Sequence, residues 1–317
     1  MTNNVKGALI GLLCYGLFSV HDVLIKYLCA TYTSSQVVFF SVTFSFPLAI
    51  ILLLRDHTAA TLRPKFPLWN IARVVTISIS MLSAFYAFSV LPLTQVYVIL
   101  FTIPLIITIL SIPVLGERVR LHRWAAILVG FIGVLIAFRP GTAELNLGHA
   151  AAALAAFCSA FSSITVRKIG RQEREVVLLL LPMLGGFTLM GLLMPMNYKP
   201  MALVDLGAVG LAALISFAAL RCIILAYKFG DAGIVAPMQY SQILWAIAFG
   251  AFLFDEELDL WIMTGTGIII LSGLYIVLRE VRLNVSENTP VLQSRGRVVA
   301  GPNYQLAADE DISSKER

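Results

Sequence analysis

The residues with the greatest chemical potential in this chain are four ionisable side chains inside apolar stretches. His21, Asp22 and Lys26 lie in the first stretch, and Arg221 lies just past the middle of another. At membrane depth a charged side chain costs about 2.5–3.5 kcal/mol on insertion scales, so such residues mark substrate or ion pathways. We interpret Arg221 as a fixed cation that receives a carboxylate or phosphate of a substrate. The alternative is a structural partner for Asp22 or for helix-end carbonyls.

Spacing gives the residues of the first stretch different roles. Asp22 and Lys26 are four apart, so they share a helix face and can pair directly. Asp22 could instead bind a proton or a cationic group of a substrate. His21 is expected to point to a different face, and an imidazole suits the role of a proton carrier. His21 and Asp22 are therefore the candidate coupling residues, with an ordinary interior histidine as the alternative. Alternatively, the long side chain of Lys26 could reach the membrane interface and keep its charge in water.

A second group of candidates combines amide, hydroxyl and aromatic side chains. Gln239, Gln242 and Trp245 follow Pro237 at a spacing of three, close to one helix face. Such groups suit hydrogen bonding and stacking against a planar or amino-acid-like ligand, although polar side chains also bond between membrane helices. The predicted substrate-binding residues are Arg221, Asp22, Gln239, Gln242, Trp245, Tyr86, Ser83 and Tyr97.

Several chemical functions have no support in the sequence. It has no GxxxxGK[ST] phosphate loop, HExxH, GxSxG or clustered metal-ligand motif. Its four cysteines stand far apart, so neither a zinc site nor a disulfide framework is expected. The net charge of +5 does not indicate nucleic acid, because the basic residues lie in loops between apolar runs. We predict a protein that is not an enzyme and holds no cofactor or metal.

Ten apolar stretches position these residues. About 20 apolar residues are needed to cross a hydrocarbon core as a helix, and the chain is 59% hydrophobic with only 13% charged residues. Soluble domains carry roughly twice that charged fraction. These values predict an all-α integral membrane protein with ten transmembrane helices. The spans are placed approximately at 7–27, 36–54, 71–90, 94–115, 121–138, 148–168, 176–195, 207–228, 233–253 and 261–279.

Basic residues predict the orientation, because cytoplasmic loops are enriched in lysine and arginine. With the N-terminus inside, only Arg139 and Lys199 fall outside, together with Lys26 near the outer end of the first span. Arg73 is interpreted as one of several arginines that anchor cytoplasmic helix ends. Both termini are therefore predicted to be cytoplasmic, and residues 283–317 are predicted to form a disordered cytoplasmic tail.

The chain also resembles itself at a long period. Phe18–Val23 is similar to Phe161–Val166, and Leu115–Glu117 is similar to Phe254–Glu256. Each repeat contains five spans, so the second must enter the membrane in the opposite sense. Inverted repeats are typical of transporters, whose substrate site lies near the midplane where the repeats meet. The predicted units are residues 5–140 and 146–282.

Several motifs together support a family assignment. They are the Arg73 helix ending in Ala87–Pro92, Pro104, Gly116–Glu117, Trp124 with Gly130–Gly133, Ala226–Tyr227, Pro237, Asp255–Glu256 and Gly273. This pattern resembles the EamA family of the drug/metabolite transporter superfamily, which implies two inverted five-helix repeats and secondary transport of small metabolites. His21–Leu28 also resembles the Asn-Asp-Val-x-x-Lys-Tyr-Leu stretch of bacterial S-adenosylmethionine uptake carriers, with His21 in place of the usual Asn.

The sequence thus predicts a secondary transporter of the bacterial inner membrane. It would move a small polar metabolite, amino-acid-like and zwitterionic or anionic, by alternating access. Its partners would be this substrate, the lipid bilayer and a proton or counter-substrate. One alternative is S-adenosylmethionine uptake, with Asp22 facing the sulfonium or amino group. An alternative of another class is a membrane receptor or assembly subunit that transports nothing.

Overall fold

The computed structural model describes residues 3–53, 63–116, 121–138, 145–170, 172–196, 198–229, 235–256 and 259–283. Throughout these ranges the regular structure is helical. The predicted tail lies outside the described residues from position 284 onward.

The first repeat contains six helical segments. They are α1 (Asn3–Thr31), α2 (Ser34–Leu53), α3 (Pro67–Val90), α4 (Leu93–Leu100), α5 (Ile103–Leu115) and α6 (Leu121–Phe138). The second repeat contains α7 (Leu147–Ile169), α8 (Glu175–Leu193), a short 3-10 turn (Met194–Met196), α9 (Leu203–Phe229), a 3-10 helix (Ala236–Ser241), α10 (Gln242–Phe254) and α11 (Leu260–Leu283).

The fourth span of each repeat is broken, which corrects two sequence predictions. The span predicted at 94–115 divides at Phe101–Thr102 into α4 and α5, and Pro104 lies in the first turn of α5. The span predicted at 233–253 becomes the 3-10 helix followed by α10, and Pro237 lies in that 3-10 helix. A proline has no N–H to donate and disrupts the preceding turn. Interrupted helices at corresponding positions of two repeats are typical of transporter binding sites.

Length and composition identify the membrane-crossing helices. In the described residues five helical stretches are long and apolar enough to span a bilayer, namely Val5–Thr31, Pro67–Val90, Leu93–Leu115, Leu147–Ile169 and Leu203–Tyr227. Five further apolar helical stretches are shorter, between 10 and 17 residues. The prediction of a helical integral membrane protein is therefore confirmed, and the count of ten complete spans stays a prediction.

The repeats pack against each other reciprocally. The first helix of the first repeat, α1, packs against the third helix of the second repeat, α9. In return α7 packs against α3, and the two fifth helices, α6 and α11, pack together. Such exchange of equivalent contacts is what a two-fold relation between two units produces.

Small residues allow the two fifth helices to approach closely. A Cβ atom added to Gly133 of α6 would lie 2.8 Å from the carbonyl oxygen of Gly265 in α11. Membrane helices use such residues at crossings because van der Waals packing requires close backbones. Gly133 and Gly265 therefore lie at a contact between the two repeats.

Candidate functional site

Helix α1 of the first repeat lies beside the broken helix of the second. A Cβ atom on Gly11 would lie 3.3 Å from Met238, and one on Gly16 would lie 3.4 Å from the indole of Trp245. Near the C-terminal end of α1, Lys26 contacts Glu256, just beyond the end of α10. Because these contacts occur at increasing residue numbers on both elements, α1 and the broken helix of the second repeat run in the same direction. A ligand bound along α1 would therefore lie between the two repeats.

A buried carboxylate occupies this interface. Asp22 is 3% exposed, and its Oδ1 atom lies 2.9 Å from Nδ1 of His21. The hydroxyl group of Tyr97, on α4, donates a hydrogen bond to Oδ2 of Asp22. A carboxylate is stable in such a place only if donors replace the water that it has lost. When Asp22 is ionised and His21 is neutral, the three side chains together carry one negative charge, which suits a cationic group.

Aromatic rings surround this carboxylate. The ring of Tyr97 stacks on that of Phe101 at 6.0 Å between centroids, and Phe101 meets Tyr240 edge-on at 5.4 Å. Phe88 lies 6.2 Å from Tyr97, and Phe85 lies 6.4 Å from His21. These rings belong to α1, α3, α4, the break after α4, and the 3-10 helix. Rings next to a carboxylate can bind a ligand that combines a planar group with a cation.

An ion pair lies toward one end of the same interface. Nζ of Lys26 lies 2.5 Å from Oε1 of Glu256 and donates to the carbonyl oxygen of Leu91 at 2.8 Å. The carboxylate of Glu256 also accepts the backbone N–H of Leu93 at 3.0 and 3.1 Å. Leu93 is the first residue of α4, where an unpaired N–H and the helix dipole favour a carboxylate. These contacts join α1, the α3–α4 turn and the end of α10.

The ion pair lies about one helical turn from the carboxylate site. Asp22 precedes Lys26 by four residues on α1, and Tyr97 follows Leu93 by four on α4. Four residues of helix correspond to about 6 Å along the axis. Since both helices give the same separation, the Asp22–Tyr97 pair lies directly inward of the Lys26–Glu256 pair.

The candidates on the broken helix of the second repeat also lie close to α1. Gln242, the first residue of α10, is buried, and Gln239 in the 3-10 helix is half-buried. Trp245 is half-buried against Gly16 and stacks on Phe249 at 6.0 Å. Both amides have interactions within the protein. Their predicted contact with substrate stays a prediction.

Other predicted site residues lie on more open surfaces. Ser83 is half-buried on α3, and Tyr86 on the same helix is 38% exposed. Arg221 lies on the exposed face of α9, which it shares with Leu214 and Leu225. A face of exposed leucines favours lipid contact. The role of Arg221 in substrate binding stays a prediction, and the buried Asp22 has the stronger structural support as the charged contact.

Two expectations about α1 are wrong. The imidazole of His21 does not point away from Asp22, because their side chains are 2.9 Å apart. Neighbouring helical residues rarely face each other, but here both side chains are buried and in contact. The carboxylate partner of Lys26 is Glu256, across the repeat interface, and not Asp22 on its own helix.

Sequence reasoning also missed two charged residues. Glu256 was named only within the repeat and family motifs, yet its side chain is 9% exposed and ion-paired. Its match to Glu117 in the first repeat was the available signal. Arg73 was interpreted as an interfacial anchor, but it is 1% exposed and donates to the carbonyl oxygen of Leu178 in α8. The arginine therefore connects helices of different repeats inside the protein.

Comparison with known protein families supports the same architecture. The model of the EamA-like transporter family matches residues 5–139 and again residues 146–279. The chain belongs to the EamA-like transporter family. Its two matches cover most of the helical part of the chain, so this EamA-like protein has the two-repeat fold of the drug/metabolite transporter superfamily.

Curated relatives of this EamA-like protein are transporters. The S-adenosylmethionine uptake transporter of Rickettsia felis is 30% identical over 274 residues, covering 83% of this chain and 89% of the relative. The protein of the same name from Rickettsia prowazekii is 28% identical over 274 residues. The riboflavin transporter of Rhizobium johnstonii is 26% identical over 287 residues, covering 88% of this chain and 93% of the relative. The EamA-like protein is therefore a multi-pass bacterial membrane protein that transports a small molecule.

A solved structure shows the same fold. A protein of known crystal structure superposes on this chain with a TM-score of 0.59. The superposition covers 89% of this chain and 100% of the other chain, and the two sequences are 18% identical. At that identity the likeness shows the fold alone.

Proposed function

We propose that this EamA-like protein is a secondary carrier for a small metabolite that combines a cationic group with a planar ring system, and that S-adenosylmethionine is its substrate. The observation behind this proposal is the buried carboxylate of Asp22, held by Tyr97 and His21 where a broken helix meets α1. The sulfonium and amino groups of S-adenosylmethionine are cations, and its adenine is planar.

The charge of the site favours a cation over an anion. Asp22 lies deep in a contact between repeats, and a buried ionised carboxylate is costly unless it has a charged or hydrogen-bonding partner. A substrate cation at Asp22 would add a charged partner to the contacts with Tyr97 and His21, with Tyr97 orienting the carboxylate. An anionic substrate would instead add a like charge, which is destabilising at short distance.

The aromatic rings favour a planar substrate. Tyr97, Phe101 and Tyr240 form a continuous series of ring contacts beside Asp22. Stacking on such rings is tolerant of ring type, so it suits adenine and also larger planar systems. The relatives named for S-adenosylmethionine and for riboflavin both transport a molecule with a planar ring system. The carboxylate is the feature that favours the cationic one.

Alternating access would expose this site to each side in turn. We place both termini in the cytoplasm of a bacterium, in the inner membrane, so the Lys26 end of the bundle would face outward. The repeats would rock about their shared interface, and the interrupted helices would move against α1. Proton coupling would use the His21–Asp22 pair, since a proton and a substrate cation compete for the same carboxylate.

Uptake into proteoliposomes tests the proposal. Purified protein is reconstituted, and entry of radiolabelled S-adenosylmethionine is measured with and without an imposed pH gradient. We expect uptake above that of empty vesicles, and we expect Asp22→Asn to lower the initial rate at least tenfold, because the amide has the same shape but no charge. A rate that follows the pH gradient supports proton coupling, and a rate that ignores it rejects coupling.

Matched measurements separate the alternatives. Glu173→Gln changes a carboxylate elsewhere in the protein, one that caps the start of α3 through Lys65 and Phe66, and it should transport at close to the normal rate. Uptake of riboflavin in place of S-adenosylmethionine would reject the proposed substrate and keep the carrier. No flux of either compound, or full activity of Asp22→Asn, contradicts the proposed site.

A further inference from the structure

The ion pair between Lys26 and Glu256 joins the two repeats at a single end of α1. Lys26 belongs to the first repeat and Glu256 to the second. Their side chains are 14% and 9% exposed, so they have little access to water. Nζ of Lys26 also lies 4.8 Å from the ring centroid of Phe254 at the end of α10. Charged groups in such a place hold their partners strongly, because separation would leave both without compensation.

The pair also closes a ring of main-chain contacts. Lys26 donates to the carbonyl oxygen of Leu91, and Glu256 accepts the N–H of Leu93. The α3–α4 turn is thereby attached to both charges at once. Movement of α10 away from α1 would break the ion pair and the contact to α4 together, so the end of the interface opens or closes as a unit.

The position of this ring decides what it controls. Asp22 and Tyr97 lie about 6 Å further in on their helices, and both are almost fully buried. A molecule that reaches Asp22 from the Lys26 end must pass between α1, the α3–α4 turn and the end of α10. Those are the three elements that the ion pair joins.

We propose that the Lys26–Glu256 ion pair is the gate on this side of the substrate site, shut in the present conformation and broken once in every transport cycle. This inference rests on the proposed alternating access but on no particular substrate. Lys26 acts as the fixed half of the gate on α1. Glu256 acts as the moving half, withdrawn with the broken helix of the second repeat.

Side-specific labelling of a buried cysteine tests the gate without a substrate. Ser19→Cys places a thiol three residues inward of Asp22, in a background whose four native cysteines (Cys14, Cys29, Cys158 and Cys222) are changed to alanine. A membrane-impermeant thiol reagent is applied separately to each side of sealed vesicles. Adding Glu256→Gln should raise the labelling rate about fivefold or more from one side only, because a neutral amide holds Lys26 much less strongly.

Asp255→Asn is the matched control. Asp255 is the neighbouring residue, is exposed, and has a φ of 50° that asparagine also tolerates. It removes the same charge without touching the ion pair, so labelling should stay at the background rate. Equal labelling of the two variants overturns the gate. An increase from both sides also overturns it, because general loosening of the bundle would have that effect.

A cross-link tests the same gate through transport. Lys26→Cys and Glu256→Cys are combined in the cysteine-free background. A short reversible bridging reagent should then lower the flux at least tenfold, and a reductant should restore it. Either single cysteine treated in the same way should keep its flux. Persistent flux through the bridged protein overturns the gate while the carrier stands. Absence of flux from the cysteine-free protein with Lys26 and Glu256 intact contradicts the proposed function, and the labelling result then still decides the gate.

Discussion

The leading helices of the two repeats have similar sequences but different chemistry. Alignment of Phe18–Val23 with Phe161–Val166 places Thr165 of α7 opposite Asp22 of α1. Asp22 accepts a hydrogen bond from Tyr97 on another helix of its own repeat, whereas the hydroxyl of Thr165 donates to the carbonyl oxygen of Phe161 on its own helix at 2.9 Å. One repeat therefore supplies a charge to the shared interior, and the other supplies a side chain that its own backbone already satisfies.

The ends of these helices differ in the same way. Lys26 is inside the protein and ion-paired with Glu256. Lys168, near the end of α7, is exposed, donates to the carbonyl oxygen of Val114 at 2.9 Å and lies 4.2 Å from the ring centroid of Trp69. Lys26 thus contacts the residue just beyond the broken helix of the second repeat. Lys168 contacts the end of the broken helix of the first repeat. The repeated fold supplies the position, but only one end has a carboxylate in contact with its lysine among the described residues.

The sharpest test of this comparison replaces each lysine by methionine. Lys26→Met leaves the Glu256 carboxylate without its cation, and loss of a hydrogen bond to a charged group costs about 1.5–3 kcal/mol. Lys168→Met removes exposed contacts worth at most about 1 kcal/mol. We expect the clearly larger fall in melting temperature for Lys26→Met, measured in detergent by thiol-reactive fluorescence. Equal falls would mean that the two ends are energetically alike.

A smaller effect should distinguish the tyrosines of the first repeat. Tyr97→Phe removes the hydrogen bond to Asp22 and keeps the ring, so substrate affinity should weaken about tenfold, which corresponds to about 1.4 kcal/mol. Tyr86→Phe changes an exposed hydroxyl on α3 and should stay within about twofold. Scintillation-proximity binding of the labelled substrate measures both. If Tyr86→Phe has the larger effect, the substrate lies along α3 and not beside Asp22.

The smallest expected effect concerns the second repeat. Arg221→Gln removes a cation from the leucine-rich exposed face of α9, and we expect the initial rate of uptake to stay within about twofold. Leu214→Gln places the same amide on that face as the matched control. A large loss for Arg221→Gln alone would support the predicted substrate contact and give the second repeat a charge of its own in the site.

Most of the architecture could be predicted from local patterns in the sequence. Apolar length predicted a helical membrane protein, and the matched motifs around Glu117 and Glu256 predicted two repeats of the EamA type. Asp22 and Tyr97 were both among the predicted site residues, and the structure brings them together. The breaks in the fourth spans were signalled by Pro104 and Pro237 but not predicted, since membrane helices often tolerate proline.

The sequence by itself determined which segments are helices and which charges lie in apolar surroundings, because both depend on neighbours along the chain. Only the tertiary structure decided the partners: Glu256 for Lys26, Tyr97 and His21 for Asp22, and the carbonyl of Leu178 for Arg73. Each of these partners, apart from His21, comes from a distant segment. The energy of a charge inside a membrane depends on what faces it, and the reciprocal packing of two repeats sets that arrangement.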